Sequence, residues 1–421
     1  MQEQYRICEQ VILEEMMPAL GCTEPIALAY AAAKAAETLG AHPTSLRVDC
    51  SGNIIKNVMG AVVPNSGGMK GVAAAAVLGA LGGDAGMGLQ VLQAVTPESL
   101  LEAQRWLKAG LCACHHAKGE DALYLLVTVY AGDAWASVEI RHAHTNITRI
   151  QKNGQDVFVS GAADSKQASA KMRMTMDGIY AYACAGAVAP VQKTLEMQIA
   201  LNTAIAAEGL ENAYGARVGS TLNARMDQFT WCRMLALAAA GSDARMAGCT
   251  LPVVINSGSG NQGLTVSLPL IAHAEEIGAT RERLLRALML GNLISLHIKA
   301  HIGNLSAFCG AVSAACGAAA GIAFLDGKPQ AMIEGVVTNT LLTTGGMVCD
   351  GAKSSCAAKI ATALFGALLC YELADAGQVF PAYDGVGGKD VEDTIDRIGR
   401  MCRKGMEKTD EEILAIMLDR P

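Results

Sequence analysis

Aromatic residues are nearly missing from this chain: they make up 4% of 421 residues, although 51% are hydrophobic. A core with so few rings is built from Ala, Val, Leu, Met and Gly, and small residues at contacts favour closely packed helices. Clustered positive charge is lacking too. A net charge of −7 without a Lys/Arg cluster excludes nucleic acid as a partner, because that binding depends on neutralising phosphates. The opening MQEQYRICEQVILEEMMPAL has no basic run leading into an apolar stretch, so it is not a signal peptide, and a cytoplasmic protein is expected. Long uncharged runs are scarce. Leu305 to Leu325 is one, at 21 residues, and length alone would allow a span. It consists mostly of Ala, Gly, Ser and Cys, and no neighbouring loop has a Lys/Arg excess to orient it. It reads as a helix buried in a protein core, with no membrane involved.

Cysteine, by contrast, is plentiful, at fourteen residues. Without a sign of secretion these are expected to be reduced thiols, most of them small core residues. The chain otherwise divides by texture. Residues 5–20 and 25–39 read as helices, the second starting at Pro25 behind Thr23-Glu24, where proline suits the first turn. From Ser45 the pattern alternates: Leu46 to Cys50, Leu123 to Val129 and Ala134 to Arg141, with turns at Ala131-Gly132-Asp133 and Lys152-Asn153-Gly154, the latter leading into Val157-Phe158-Val159. Helices are expected in this region near Gly71–Leu81 and Pro97–Ala109. Beyond Ser165 the pattern is helical at 166–186, 189–207, 226–240, 262–275, 280–300, 305–324, 329–342, 355–374 and 389–418. The expected class is α+β. N-terminal helices (1–42) pack with a large helical catalytic region (166–421), and a smaller α+β region with a mixed or antiparallel sheet (43–165) lies between. No fixed-period repeat is present. Val62-Val63-Pro64-Asn65-Ser66-Gly67 and Val253-Val254-Ile255-Asn256-Ser257-Gly258 read as two similar polar turns.

Several cysteines stand where helices begin. In Gly345-Gly346-Met347-Val348-Cys349-Asp350-Gly351-Ala352-Lys353-Ser354-Ser355-Cys356, the glycines end one helix and Ser354 or Ser355 can cap the next. Cys349 then lies in the loop and Cys356 in the first turn. Unpaired N–H groups at a helix start favour a thiolate, so buried thiols, a disulfide and ligands of an inorganic group are all open here. Gly303-Asn304-Leu305-Ser306-Ala307-Phe308-Cys309 repeats the arrangement. Cys316 follows on nearly the same helical face, but among Ala and Gly it reads as core. In Leu20-Gly21-Cys22-Thr23-Glu24-Pro25 a thiol before a helix is expected to titrate low enough for acid–base or nucleophilic work, with Glu24 exchanging the proton. Cys112-Ala113-Cys114-His115-His116 lacks a second ligand pair at zinc spacing and reads as an exposed loop. His297 and His301, on either side of Lys299, read either as a packed helix end or as support for a nearby site.

Gly21-Cys22-Thr23-Glu24-Pro25, Ser51-Gly52-Asn53-Ile54-Ile55-Lys56-Asn57, Pro64-Asn65-Ser66-Gly67-Gly68, Ser257-Gly258-Ser259-Gly260-Asn261-Gln262-Gly263 and the cysteines at 309, 349 and 356 together resemble the L-cysteine desulfidase family. That family is related to the alpha chain of iron–sulfur L-serine dehydratases. The resemblance implies one 4Fe-4S cluster held by Cys309, Cys349 and Cys356 with one iron open, and a further reactive cysteine at Cys22. It also implies elimination of sulfide from L-cysteine, giving ammonia and pyruvate without pyridoxal phosphate. Cys22 is then either the base, with Glu24 relaying the proton, or a cap on the open iron. For a small amino-acid substrate, Asn53, Asn57, Asn65, Ser66, Ser257, Ser259, Asn261 and Gln262 offer hydrogen bonds to its head group, and Lys56, Lys299 and Lys353 can pair its carboxylate. A cleft between the two regions is the expected place. The competing readings are an iron–sulfur serine dehydratase, a pyridoxal phosphate lyase using Lys353, a cluster-based iron or oxygen sensor, and a small-amino-acid transporter; a homo-oligomer is compatible with all of them.

Overall fold

The computed structural model describes residues 1–160, 170–225, 231–303 and 305–419; the expected helix starts at 166 and 226, and Asn304, lie outside these. The chain begins with α1 (Gln2–Glu15), β1 (Pro18–Leu20), α2 (Thr23–Leu39), β2 (Ser45–Cys50), α3 (Gly52–Val58), α4 (Val72–Gly82) and α5 (Pro97–Ala109). Strands β3 (Cys112–His116), β4 (Tyr124–Ala131), β5 (Ala134–Arg141), β6 (Ile147–Lys152) and β7 (Gln155–Val159) follow. Then come α6 (Met176–Ala185), α7 (Ala189–Glu211), α8 (Val218–Asn223), α9 (Cys232–Met246), β8 (Pro252–Val254), α10 (Gly260–Glu276) and α11 (Arg281–Ile302). The chain closes with α12 (Gly310–Leu325), α13 (Gln330–Thr344), α14 (Cys356–Asp375), α15 (Val391–Arg400) and α16 (Glu407–Leu418). The class is α+β with a mostly helical body.

Local chemistry accounts for the sheet, whose order is β3-β2-β4-β5-β6-β7. β4 and β5 close on a two-residue turn, Ala131 pairing with Ala134, and Gly132 supplies the positive φ of 60° that the turn needs. Asn153 and Gly154, both at positive φ, make the Asn-Gly turn between β6 and β7. β2 runs parallel to β3 and antiparallel to β4. The stretch Cys112–His116 is therefore an edge strand, not the expected loop. Paired on one side only among the described residues and largely exposed, it has no buried face to impose an alternating pattern.

Two further expectations are corrected. The first helix stops at Glu15 rather than residue 20, because Pro18 disfavours helical backbone at the residue before it; Pro18–Leu20 instead pairs with β8. Helix α1 packs on the helical body through α6 and α7, but the alanine-rich α2 packs on α4 and against β4 and β5. The grouping of both N-terminal helices with the helical region thus fails for α2, whose small side chains lie against the sheet.

The uncharged run is α12, 16 residues long and buried on nearly every side among α10, α11, α13 and α14. Among the described residues one helix, Cys356–Asp375, has the length and composition to cross a membrane, and half of it is buried inside the protein. Helices α11 and α12 cross at Gly291 and Gly317, and a Cβ on Gly317 would lie 2.2 Å from the Gly291 carbonyl oxygen. This crossing fixes the end of α11 relative to the start of α12. Gly317→Ala is expected to cost about 1–3 kcal/mol by overpacking, read as a lower denaturant midpoint at unchanged slope. An unchanged midpoint would contradict so close a crossing.

Candidate active site

Four of the cysteines meet where helices begin. Cys309 is the N-cap residue of α12, Cys22 that of α2, and Cys356 is the first residue of α14. Cys349 joins them through a short antiparallel contact between Phe308 and Val348. The Cys309 N–H donates to the Met347 carbonyl at 3.0 Å, and the Cys349 N–H to the Ala307 carbonyl at 2.6 Å. Side chains alternate along paired strands, so Cys309 and Cys349 share the face opposite Phe308 and Val348. Cys356 accepts from the Lys353 N–H at 3.5 Å and packs on the small apolar group that contains Cys22. Cys22, Cys309, Cys349 and Cys356 all line one cavity of about 100 Å³. Among the described residues no three His, Cys, Asp or Glu side chains are grouped as ligands of a single metal ion. A cluster takes each thiolate on a different iron, so its ligands stand wider apart than those of one ion.

The turn before α10 lines the same cavity and supplies polar groups. Ser259 caps α10, accepting from the Gln262 N–H. Gly258 takes φ +70°, and a Cβ there would meet the His144 ring at 2.8 Å; its carbonyl accepts from the Thr23 hydroxyl at 2.6 Å. His144 Nε2 stands 3.6 Å from Glu24 Oε1, within ion-pair range but too far for a hydrogen bond. The other Glu24 oxygen accepts from Cys22 Sγ at 3.1 Å, and Asn57 donates to Glu24 at 3.4 Å. Arg245 is 2% exposed. Its Nη1 donates to Asn261 Oδ1 at 3.0 Å, and no carboxylate among the described residues lies at ion-pair distance. Among the described residues His144 Nε2, Arg245 Nε, Ser257 Oγ and Gln262 Oε1 are buried without a hydrogen-bond partner. Buried polar atoms are normally satisfied. Four such atoms around one cavity offer hydrogen bonds to a polar molecule bound there.

The protonation states depart from the expectation of easily formed thiolates. Burial pushes Cys22 well above the ordinary thiol range, and the neighbouring Glu24 charge adds to the shift against the opposing pull of Arg245. Cys309 is pushed up to about 12 by burial and by Cys349, and Cys356 is raised by burial despite Lys353. Desolvation outweighs the helix termini here. Burial works against ionisation of Glu24 as well, but His144, the Cys22 thiol and its own backbone N–H hold it at about 2. Lys299, 3% exposed, is lowered to about 8 by burial, with Cys349 and Cys309 pulling the other way.

The cavity gathers Cys22, Glu24, Asn57, Ser257, Ser259, Asn261, Gln262, Cys309, Cys349 and Cys356 from the sequence candidates, and Lys299 with them. Others lie elsewhere. Asn65 donates to the Leu92 carbonyl and Ser66 closes a turn onto Met69. Lys353 is tied to Asp350 at 2.5 Å and is not part of the lining. Asn53 and Lys56 face a neighbouring cavity of about 1070 Å³ under α16, where the buried Lys56 pairs with Asp410. His297 and His301 turn to Glu392 and Asp396 on α15, forming a packed helix end, and Cys316 is buried in the core. Sequence reasoning missed Thr23, His144 and Arg245. A lone arginine in the Ala/Gly-rich run Ala238–Gly248 was the available signal for Arg245, since a charge inside a buried helix needs a partner.

Residues 86–415 match the profile of the serine dehydratase alpha chain family. The relatives include UPF0597 proteins of Lachnoclostridium phytofermentans, 45% identical over 99% of this chain and 100% of the relative, and of Finegoldia magna, 43% identical over 98% and 99%. A UPF0597 protein of Fusobacterium nucleatum is 40% identical over 97% of each chain.

Because Glu24 is held at about 2, below its ordinary 4.5, its ionised form stabilises the fold above pH 4.5, and that contribution is lost as pH falls towards 2. Wild type minus Glu24→Gln stability, from denaturant titrations, should therefore shrink by on the order of 2–3 kcal/mol across that window. A difference independent of pH would contradict the Glu24 environment described.

Proposed function

The chain belongs to the serine dehydratase alpha chain family, a family of dehydratase-type lyases, and on that premise we propose that it is an iron–sulfur-dependent lyase that eliminates sulfide from L-cysteine, leaving ammonia and pyruvate, without pyridoxal phosphate. One observation carries this reading: three thiols from two separate loops share a small cavity with a Cys–Glu pair and with buried polar atoms that lack partners. The donor set fits a 4Fe-4S cluster, since thiolates are soft ligands suited to iron. Cys309, Cys349 and Cys356 would hold it. When bound, the cluster supplies a Lewis-acidic iron without a protein thiolate, able to take the substrate sulfur.

The chain's own groups do the rest. Lys299, buried and without a carboxylate at ion-pair distance among the described residues, offsets the negative charge of three ionised thiols. Arg245 receives the substrate carboxylate. Its guanidinium is already desolvated and has an unused N–H, so an arriving carboxylate meets a preorganised fork. Ser257 Oγ and Gln262 Oε1 accept from the ammonium, and the Gln262 amide packs against Gly310, next to Cys309. The Cys22 thiol and the Glu24 carboxylate share one proton and one negative charge across 3.1 Å. Cys22 takes the Cα proton as its own passes to Glu24, so the buried pair never carries two negative charges. Burial raises the thiol's proton affinity, which makes the thiolate formed in this exchange a strong base. The aminoacrylate that results hydrolyses in water.

The family's name favours a second reading, dehydration of L-serine by the same residues. Supplying anaerobically reconstituted protein with matched L-cysteine and L-serine distinguishes them. Sulfide and pyruvate from cysteine, at a kcat/KM well above that for serine, is the expected result; pyruvate from serine alone would replace it with the dehydratase reading. Arg245→Lys should raise KM roughly ten- to a hundredfold with kcat largely kept, because it removes the bidentate contact but not the charge. An unchanged KM would remove Arg245 from the carboxylate site. Cys22→Ser should abolish turnover while the cluster spectrum stays as in wild type; an altered resting spectrum would make Cys22 an iron ligand instead of the base.

A further inference from the structure

Edge strand β3 carries a pair of thiols that the cavity does not use. Cys112 and Cys114 are two residues apart, so their side chains emerge on one face of the strand, and their sulfurs lie 3.9 Å apart. Cys114 is exposed and Cys112 half-buried, whereas most of the other cysteines are buried. Among the described residues β3 is hydrogen-bonded only to β2, so one side of its backbone is free to pucker. Residues two apart on a strand have Cα atoms about 6.6 Å apart, near the upper end of the separation a disulfide bridges. A bond closed there is strained and readily reduced.

The two sulfurs are not equivalent. Either thiol can donate across the contact between them, and sharing that proton draws the exposed Cys114 below its ordinary range although burial opposes this. Cys112 is raised by that same contact and by burial. An exposed, thiolate-biased sulfur backed by a protonated one is the arrangement of an attacking and a resolving thiol.

We propose that Cys112 and Cys114 form a reversible thiol–disulfide site on the sheet edge, oxidised by exchange with low-molecular-weight disulfides. The Cys114 thiolate attacks one sulfur of the small disulfide, forming a mixed disulfide and releasing one thiolate. Cys112 then gives its proton to solvent and attacks the Cys114 sulfur, breaking the mixed disulfide and releasing the second thiolate. Two protein thiols are oxidised by two electrons, one small disulfide is reduced, and the two released thiolates take up the two protons that the protein thiols lost.

Tryptic cleavage after Lys108 and Lys118 isolates Ala109–Lys118, which holds both of these cysteines and no other. Full-length protein is treated with oxidised glutathione, blocked with an alkylating reagent and digested. The expected wild-type peptide is two hydrogens lighter, takes no alkyl group and recovers both alkylation sites after reduction with dithiothreitol. Cys112→Ser is expected to stop at a stable glutathione adduct on Cys114, and Cys114→Ser to leave Cys112 unmodified over the same interval. A wild-type peptide that stays doubly alkylated, or keeps the glutathione adduct unresolved, would overturn the proposal. An adduct formed on Cys112 in the Cys114→Ser variant, with none on Cys114 in Cys112→Ser, would overturn the assigned roles.

Discussion

The antiparallel contact between Phe308 and Val348 joins the segment that starts α12 to the loop that precedes α14, and the rest of the site depends on it. Two backbone hydrogen bonds, from Cys309 to Met347 and from Cys349 to Ala307, place two thiols on one face. The tight crossing of α11 on α12 then brings Lys299 to the same cavity. The packing that surrounds these loops serves to hold the ends of helices still. Small residues let the helices approach closely enough for three of their N-termini to meet, which a core rich in rings would not allow.

That meeting sets up an electrostatic tension. Four thiols, one carboxylate, one guanidinium and two ammonium groups line a cavity of about 100 Å³. In the bare protein burial favours the protonated forms of Cys22, Cys309 and Cys356, and Lys299 is drawn down towards neutrality. A metal reverses this locally, since a coordinating thiol loses its proton outright. Glu24 is the exception already ionised, because His144 and the Cys22 thiol compensate its burial. The site thus holds one carboxylate kept in its ionised form and several groups whose charge awaits a ligand.

Much of this was legible in the sequence, and what was not has physical causes. The Gly132-Asp133 and Asn153-Gly154 turns and the strands they join could be read locally, because turn chemistry is local. Cys22, Cys309 and Cys356 could be placed at helix starts from Gly, Ser and Pro signals. The edge strand at Cys112–His116 could not, since a strand largely exposed on both faces carries no alternation. Arg245 and His144 escaped because their roles arise from contacts across the fold, with Asn261 and Glu24. Asn65, Ser66 and Lys353 were drawn in by motifs whose polar residues instead close turns or pair within their own loop. The thiol ionisation was misjudged for a similar reason: helix-end electrostatics is a sequence-level signal, whereas desolvation is a property of the packed structure.

The proposed chemistry requires Cys309, Cys349 and Cys356 to act together as the ligands of one iron–sulfur cluster. Iron counting after anaerobic reconstitution with iron and sulfide tests it most directly. Wild type, and the core control Cys316→Ser, should retain about four irons per chain, and a folded Cys309→Ser/Cys349→Ser/Cys356→Ser variant should retain none. A triple variant that keeps as much iron as wild type would contradict the account.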